Sequence, residues 1–347
     1  MDARRKLMLG VGATLGLTAL GLYLERQRRW RAVAAERASR PPERPPGVPI
    51  GPFDANSTAE DVTGGIDLAG KTMLVTGATS GLGLETMRVL ALRGAHVIGT
   101  GRTLERAREA CHSVPGKATP MALDLTDYPG VVACAGAVRA LGVPLDGLIC
   151  NAGIMALQQL EQVQGIEKQL ATNHLGHFLL TTRLLDLIEA APQGRIVVVS
   201  SGVMIWSDPA GIEWDNLSGE RNYDPNRAYG QSKLANALFS LELARRLERT
   251  RATANSLHPG YIDTELFRHY PVSLRGFRGL LSGRPKMTVA QGAATSCYLA
   301  TAPALAGVRG QYFTGCNPVV PDPRAEDRAA AARLWEVSTR LLGAYLA

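Results

Sequence analysis

The sequence has little cysteine, no solenoid-type repeat and, outside its first fifty residues, almost no net charge. Its five cysteines (Cys111, Cys134, Cys150, Cys297 and Cys316) are odd in number, scattered and never spaced C-x-x-C. A disulfide framework and a thiolate zinc site are thereby excluded, and a reducing compartment suffices. His174 and His177 stand three apart, but no acid or third histidine accompanies them, so no metal is expected. The 347 residues are 46% hydrophobic and 20% charged, with a mean hydropathy of −0.02. That composition excludes wholesale disorder and a polytopic membrane protein, and it leaves ample chain for a large core.

The 38 Lys/Arg and 31 Asp/Glu give +7 and a pI near 9.3, a balance that would suit nucleic acid or a membrane surface. Its distribution decides between them. Residues 1–50 hold ten basic and four acidic side chains, a net of +6, and the remaining 297 carry +1. No nucleic-acid partner is expected of a near-neutral body with dispersed basic residues. The basic clusters bracket an uncharged run, 7–24. As a helix it would span about 27 Å, close to the roughly 30 Å of a bilayer core. The reading is an uncleaved, single-pass N-terminal transmembrane helix. Its rivals are a buried core helix and a cleaved signal peptide, the latter marked by Arg4-Arg5 and Ala32-Val33-Ala34. Four arginines between the run and that cleavage point argue against cleavage.

Three basic side chains precede the run and six follow it by residue 40, which places the body of the protein on the cytoplasmic side of a membrane. Pro41, Pro42, Pro45, Pro46, Pro49 and Pro52 read as a semi-rigid spacer without a core. The expected organisation is 1–40 membrane anchor, 41–66 Pro-rich linker and 67–347 folded domain.

From Lys71 onward, short apolar runs alternate with longer amphipathic ones. Strands are expected over 72–76, 96–100, 118–123, 147–150, 195–200 and 252–257, and helices over 82–92, 104–111, 130–141, 166–187 and 231–247. Repeated βαβ spacing with near-continuous apolar strands implies an α/β fold, a single Rossmann-type doubly wound parallel sheet with helices on both faces. The first βα turn reads Thr76-Gly77-Ala78-Thr79-Ser80-Gly81-Leu82-Gly83. Its glycines admit positive φ and close backbone approach, so the next helix N-terminus can hold a pyrophosphate. Tight packing is the alternative for a lone glycine loop. The second strand ends Gly99-Thr100-Gly101-Arg102, without the acid that would hold a ribose 2′-hydroxyl. Arg102 is there for a 2′-phosphate, or it is a solvent-facing cap residue.

Tyr229-Gly230-Gln231-Ser232-Lys233 puts a phenol and an ammonium on one helical face. An ammonium favours the phenolate, as a general acid/base at neutral pH requires, although the same spacing also occurs in exposed helix pairs. The strand before it ends in Ser200-Ser201, at the edge where hydroxyls serve a ligand or cap a turn. Asn151-Ala152-Gly153 closes the fourth strand at that edge. Asn173 falls mid-helix, a poor position that invites a π-bulge or a proton relay.

From about Leu68 to the C-terminus, the order and spacing of these segments resemble the short-chain dehydrogenase/reductase superfamily. The resemblance is carried by 76–83, Asp124-Leu125, Asn151-Ala152-Gly153, Asn173, Ser201, Tyr229/Lys233 and Pro259-Gly260 with Thr264. Asn173-His174-Leu175-Gly176-His177, Lys233-Leu234-Ala235-Asn236 and His258-Pro259-Gly260 are similar to its retinol-dehydrogenase-like branch, which also holds the WW-domain oxidoreductase. The resemblance implies Tyr229 as general acid/base, with Lys233 lowering its pKa and holding the nicotinamide ribose. Ser201 would bond the substrate oxygen, a choice over Ser200 that rests on the resemblance, and Asn173 would position a relay water. Gly77, Thr79, Ser80, Gly81, Leu82 and Gly83 would surround the pyrophosphate, with Asp124 and Leu125 at the adenine. Asn151, Ala152 and Gly153 would lie along the cofactor, and Pro259, Gly260, Ile262 and Thr264 at its nicotinamide end.

The implied activity is interconversion of a hydrophobic alcohol with its aldehyde or ketone, using NADP(H) in preference to NAD(H). A cofactor-binding scaffold with little turnover is the alternative. Trp206 and Trp214 either wall a substrate pocket or simply pack. The arginine-rich apolar segment 265–287 forms either a lid facing a membrane or a helix capping the core. The expected partners are a small hydrophobic molecule and the membrane, with a homo-oligomer left open.

Overall fold

Runs of apolar, often β-branched residues form the strands of the computed structural model, which describes residues 43–262 and 287–346. The 7–24 run, Thr264 and the 265–286 segment lie outside the described residues. In chain order the strands are β1 (Thr72–Val75), β2 (His96–Gly101), β3 (Ala118–Ala122), β4 (Gly147–Cys150), β5 (Gln162–Val163), β6 (Ile166–Glu167), β7 (Arg195–Val199), β8 (Thr253–His258), β9 (Tyr312–Thr314) and β10 (Asn317–Val319). Strands β5 and β6 make a separate hairpin, and the others join one sheet in the order β10-β9-β8-β7-β4-β1-β2-β3. Every pairing in that sheet is parallel except β9 with β10. Those two turn through Gly315 and Cys316, both at positive φ, as a two-residue hairpin turn demands. Pro120 sits in β3, an edge strand, where a missing amide costs no ladder bond.

The principal helices are α1 (Ala59–Val62), α2 (Gly81–Leu92), α3 (Leu104–His112), α4 (Tyr128–Arg139), α5 (Gly176–Glu189, entered through the short turns Lys168–Leu170 and Ala171–Leu175), α6 (Pro225–Arg246), α7 (Val289–Thr301) and α8 (Arg328–Leu341). Successive strand side chains point to opposite faces, and both faces here are apolar. Leu74, Leu148, Ile196 and Val198 pack with α4, α5, α6 and α8. Met73, Val75, Ile149 and Val197 pack with α1, α2 and α7. Trp335 of α8 meets Phe178 of α5 edge-on at 4.8 Å and stacks on Phe239 of α6 at 6.0 Å, which pins α8 to the helix pair beneath it. At the amino edge of the sheet, Asp146 binds both Lys71 Nζ and the Thr72 amide, which fixes β1 against β4.

Three expectations are corrected. The stretch 53–66 is part of the folded body, because Phe53 packs edge-on against Tyr298 at 5.6 Å and Ala59 and Val62 are buried. Thr58 and Asp61 form a capping box that starts α1. The helix expected over 166–187 begins only at Lys168. Gln164 and Gly165, both at positive φ, reverse the chain and give Ile166–Glu167 to a hairpin. Helix α6 starts at Pro225 rather than 231, because Asp224 accepts the Arg227 amide at 2.7 Å and proline suits a first helical position. Among the described residues no helix is long and apolar enough to cross a membrane.

Candidate active site

All the parallel strands end at one edge of the sheet, so the residues that follow β1, β2, β4, β7 and β8 share it. The sheet order reverses direction between β1 and β4, which opens a crevice there. The loop after β1 lines this crevice. Gly77 and Gly81 have φ of +64° and +52°, in the region only glycine enters cheaply. A Cβ on Gly83 would stand 2.2 Å from the Gly77 carbonyl oxygen and 2.5 Å from Asn151 Nδ2. Ser80 is the N-cap of α2, and its side chain caps no amide, so the first amides of a twelve-residue helix remain available to an anion. This cradle has the shape and donors that a dinucleotide pyrophosphate needs.

The other expected cofactor residues divide by role. Thr79 packs over Gly101, where a Cβ would clash with its methyl, and Arg102 beyond it is exposed. Asp124 accepts from the Thr126 amide and hydroxyl. The Leu125 side chain is core, packed where Gly176 leaves room. Asn151 donates Nδ2 to the Thr76 carbonyl at 2.8 Å and ties the two strand ends together. The Ala152 Cβ fills the space beside Gly77. Ile262 and Leu82 meet over Gly292 of α7, and Pro259–Gly260 leads into a bridge between Ile262 and Met287.

Asn173, Ser201, Tyr229 and Lys233 come together at the same edge. Asn173 lies in a π-helical turn, Ala171–Leu175, and is fully buried. The wider turn leaves its side chain to clamp a neighbouring segment. Oδ1 accepts the Ile154 amide at 2.9 Å, and Nδ2 donates to the Ile154 carbonyl and to Ser232 Oγ. Gly153 lies between Asn173 and Lys233, since a Cβ there would be 3.1 Å from Asn173 Oδ1 and 3.7 Å from Lys233 Nζ. The Lys233 ammonium is buried, 3.0 Å from the Val199 carbonyl and 5.7 Å from the Tyr229 ring centre. Burial pushes its pKa down to about 8. Ser200 donates its hydroxyl to the Lys233 carbonyl at 2.6 Å, whereas Ser201 caps the turn Gly202–Trp206.

The Tyr229 ring packs with Met155 and Ala156, with Val203 and Trp206 against them. Trp206 thus walls the site, while Trp214 packs with the main core under the Arg333 guanidinium. Sequence reasoning did not single out Gln169, whose Oε1 accepts the Ala156 amide at 2.6 Å and holds that alanine at φ +51°. It assigned no role to Asn236, which shares the Val199 carbonyl, and did not pair His177 with Thr76. His174 bonds Ser338. For these, the signal was a polar residue on an otherwise apolar helical face.

The family model for short chain dehydrogenase matches residues 71–211. The short-chain dehydrogenase TIC 32 B, chloroplastic, of Brassica napus is 42% identical over 302 residues, which cover 84% of this chain and 94% of that one. The chain belongs to the short-chain dehydrogenase/reductase family. Human retinol dehydrogenase 14 is 40% identical over 79% of this chain and 87% of its own, which places the chain in the retinol-dehydrogenase-like branch. A crystal structure of an uncharacterised protein from Mycobacterium paratuberculosis superposes with a TM-score of 0.67 at 34% identity, over 82% of this chain and 97% of that one. This short-chain dehydrogenase/reductase is therefore an oxidoreductase of a family that uses NAD(P)(H).

Proposed function

We propose that the protein is a membrane-tethered, NADP(H)-dependent oxidoreductase that interconverts a hydrophobic alcohol with its aldehyde or ketone. The observation that carries the reading is the phenol of Tyr229, ringed by Met155, Ala156, Val203 and Trp206, on one helix with the buried Lys233. An apolar wall against the proton donor favours an apolar substrate. Gly77, Gly81, Gly83 and the α2 amides would hold the pyrophosphate, and Arg102, with no acid beside it, would hold a 2′-phosphate.

Bound NADPH supplies the hydride in the reducing direction. Tyr229 gives its proton to the carbonyl oxygen, and Ser201 donates a hydrogen bond to the same oxygen. Lys233 stabilises the phenolate left behind. Asn173, whose side chain is engaged by Ile154 and Ser232, offers its backbone carbonyl to a relay water that returns a proton toward Lys233. In oxidation the steps reverse. The 7–24 run tethers the domain to the cytoplasmic face of a membrane, where lipophilic substrates concentrate.

The test is NADPH oxidation by the full chain in detergent with a panel of lipophilic aldehydes and ketones. Turnover that Tyr229→Phe lowers by about a hundredfold or more supports the mechanism, and an unchanged rate overturns it. Tight NADPH binding without turnover on any carbonyl would favour a scaffold instead. Deleting residues 1–40 should release the protein from membranes into the soluble fraction.

A further inference from the structure

A buried chain of hydrogen bonds runs from the cofactor loop to the catalytic side through Thr76 and His177, neither of which the reaction outlined above uses. His177, in the first turn of α5, bonds the Asn173 carbonyl through Nδ1 at 3.0 Å and the Thr76 hydroxyl through Nε2 at 2.8 Å. A carbonyl only accepts, so Nδ1 carries the proton. Nε2 of the neutral ring then accepts, and Thr76 Oγ1 donates to it at 2.8 Å rather than to the Ile149 carbonyl, which lies farther off at 3.3 Å. Burial keeps the imidazole neutral, pushing its pKa down to about 4. The same Thr76 oxygen accepts the backbone amides of Asn151 at 2.9 Å and Ala152 at 3.0 Å. Donors and acceptors are therefore ordered in one direction from the end of β4, through the end of β1, to the π turn.

We infer that His177 is a positioning residue that couples the cofactor-facing ends of β1 and β4 to the Asn173 carbonyl, an inference that rests on the reaction proposed above. Toward the cofactor, it draws off the Thr76 proton and leaves that oxygen's lone pairs to the two amides that shape the 151–153 turn. Toward the catalytic side, it occupies one of the two lone pairs of the Asn173 carbonyl and fixes how that carbonyl meets a relay water. A phenylalanine of similar size would fill the same space and break both links. Asparagine would restore a donor near the Nδ1 position, and glutamine an acceptor near the Nε2 position, so each keeps one half of the connection.

The experiment measures NADPH affinity by fluorescence titration and kcat with the best carbonyl for His177→Phe, His177→Asn and His177→Gln, with thermal melts as a check on folding. His177→Phe is expected to weaken NADPH binding and to lower kcat, each about tenfold. His177→Gln should keep near wild-type affinity with a reduced kcat, and His177→Asn should show the opposite split. Thr76→Val should weaken binding as His177→Phe does, and the double variant should lose no more than either single one. Equal binding and kcat in all three variants, or equal losses that add to those of Thr76→Val, would overturn the coupling. The titration needs no turnover, so a wild-type protein that binds NADPH but reduces nothing defeats the proposed reaction while the binding arm is still read. An active set of variants with no split defeats the coupling alone.

Discussion

Lys233 and Asn236, one turn apart on α6, share a single acceptor: the Val199 carbonyl receives Nζ at 3.0 Å and Nδ2 at 3.1 Å. The carbonyl at the end of β7 thus stays partnered if the lysine is lost. The lysine itself is costly, because burial lowers its pKa from 10.5 to about 8 and so disfavours the charged form in the folded protein. At neutral pH this amounts to about 3 kcal/mol against folding.

Lys233→Met is therefore expected to raise the melting temperature by several degrees at pH 7 while abolishing turnover. The sign follows from linkage. Between about pH 8 and 10.5 the unfolded chain holds a proton that the folded lysine has released, so wild-type stability gains with rising pH relative to Lys233→Met. Below pH 8 the penalty is constant and fully present. Denaturant melts of both proteins at pH 7 and pH 10 check this, and a less stable variant at pH 7 would show that Lys233 holds the fold together.

Gly83→Ala should reduce NADPH affinity at least about tenfold, because its methyl would press on the Gly77 carbonyl and the Asn151 amide, both parts of the cradle. Gly136→Ala is the control. It lies inside α4 with no atom within 4 Å of a new Cβ, and it should stabilise the protein by about 0.5–1 kcal/mol without touching activity. Fluorescence titration and denaturant melts of the two variants separate cofactor approach from helix propensity.

Much of this arrangement was legible in the sequence, because it is local. Residues 196–199 of β7 are an unbroken apolar run, and Tyr229 and Lys233 stand one helical turn apart whatever else the chain does. What was not legible depends on distant partners. The prolines before residue 53 read as a spacer, and nothing local shows that Phe53 will meet Tyr298. Thr76 and His177 lie 101 positions apart, so each reads alone as a strand-end hydroxyl and a packed histidine. The early start of α6 has a different origin. Asp224-Pro225 is a local start signal, outweighed by an apolar periodicity that begins several residues later.

Arg102 follows β2 without an acid beside it and is exposed, so its charge can reach a 2′-phosphate at little desolvation cost. Arg102→Ala is expected to raise the KM for NADPH about tenfold and to leave that for NADH unchanged. Steady-state kinetics with both cofactors provide the check. Equal use of NADPH and NADH by the wild type would remove the basis for the preference.

Gln169 governs the wall opposite the phenol. Ala156 is held at φ +51°, where an alanine costs roughly 1–2 kcal/mol, and its amide is bound by Gln169 Oε1. Gln169→Leu removes that acceptor and leaves a buried amide unpaired, so the 155–157 segment should relax away from Tyr229. The expected result is a fall of about tenfold in kcat/KM for bulky carbonyls, expressed mainly in KM, with a lower melting temperature. Adding Ala156→Gly should recover part of the melting temperature, since glycine adopts positive φ without the penalty. It should not restore KM, because the acceptor that held the segment in place is still missing. If Gln169→Leu leaves kcat/KM unchanged, the 155–157 segment does not shape the substrate site.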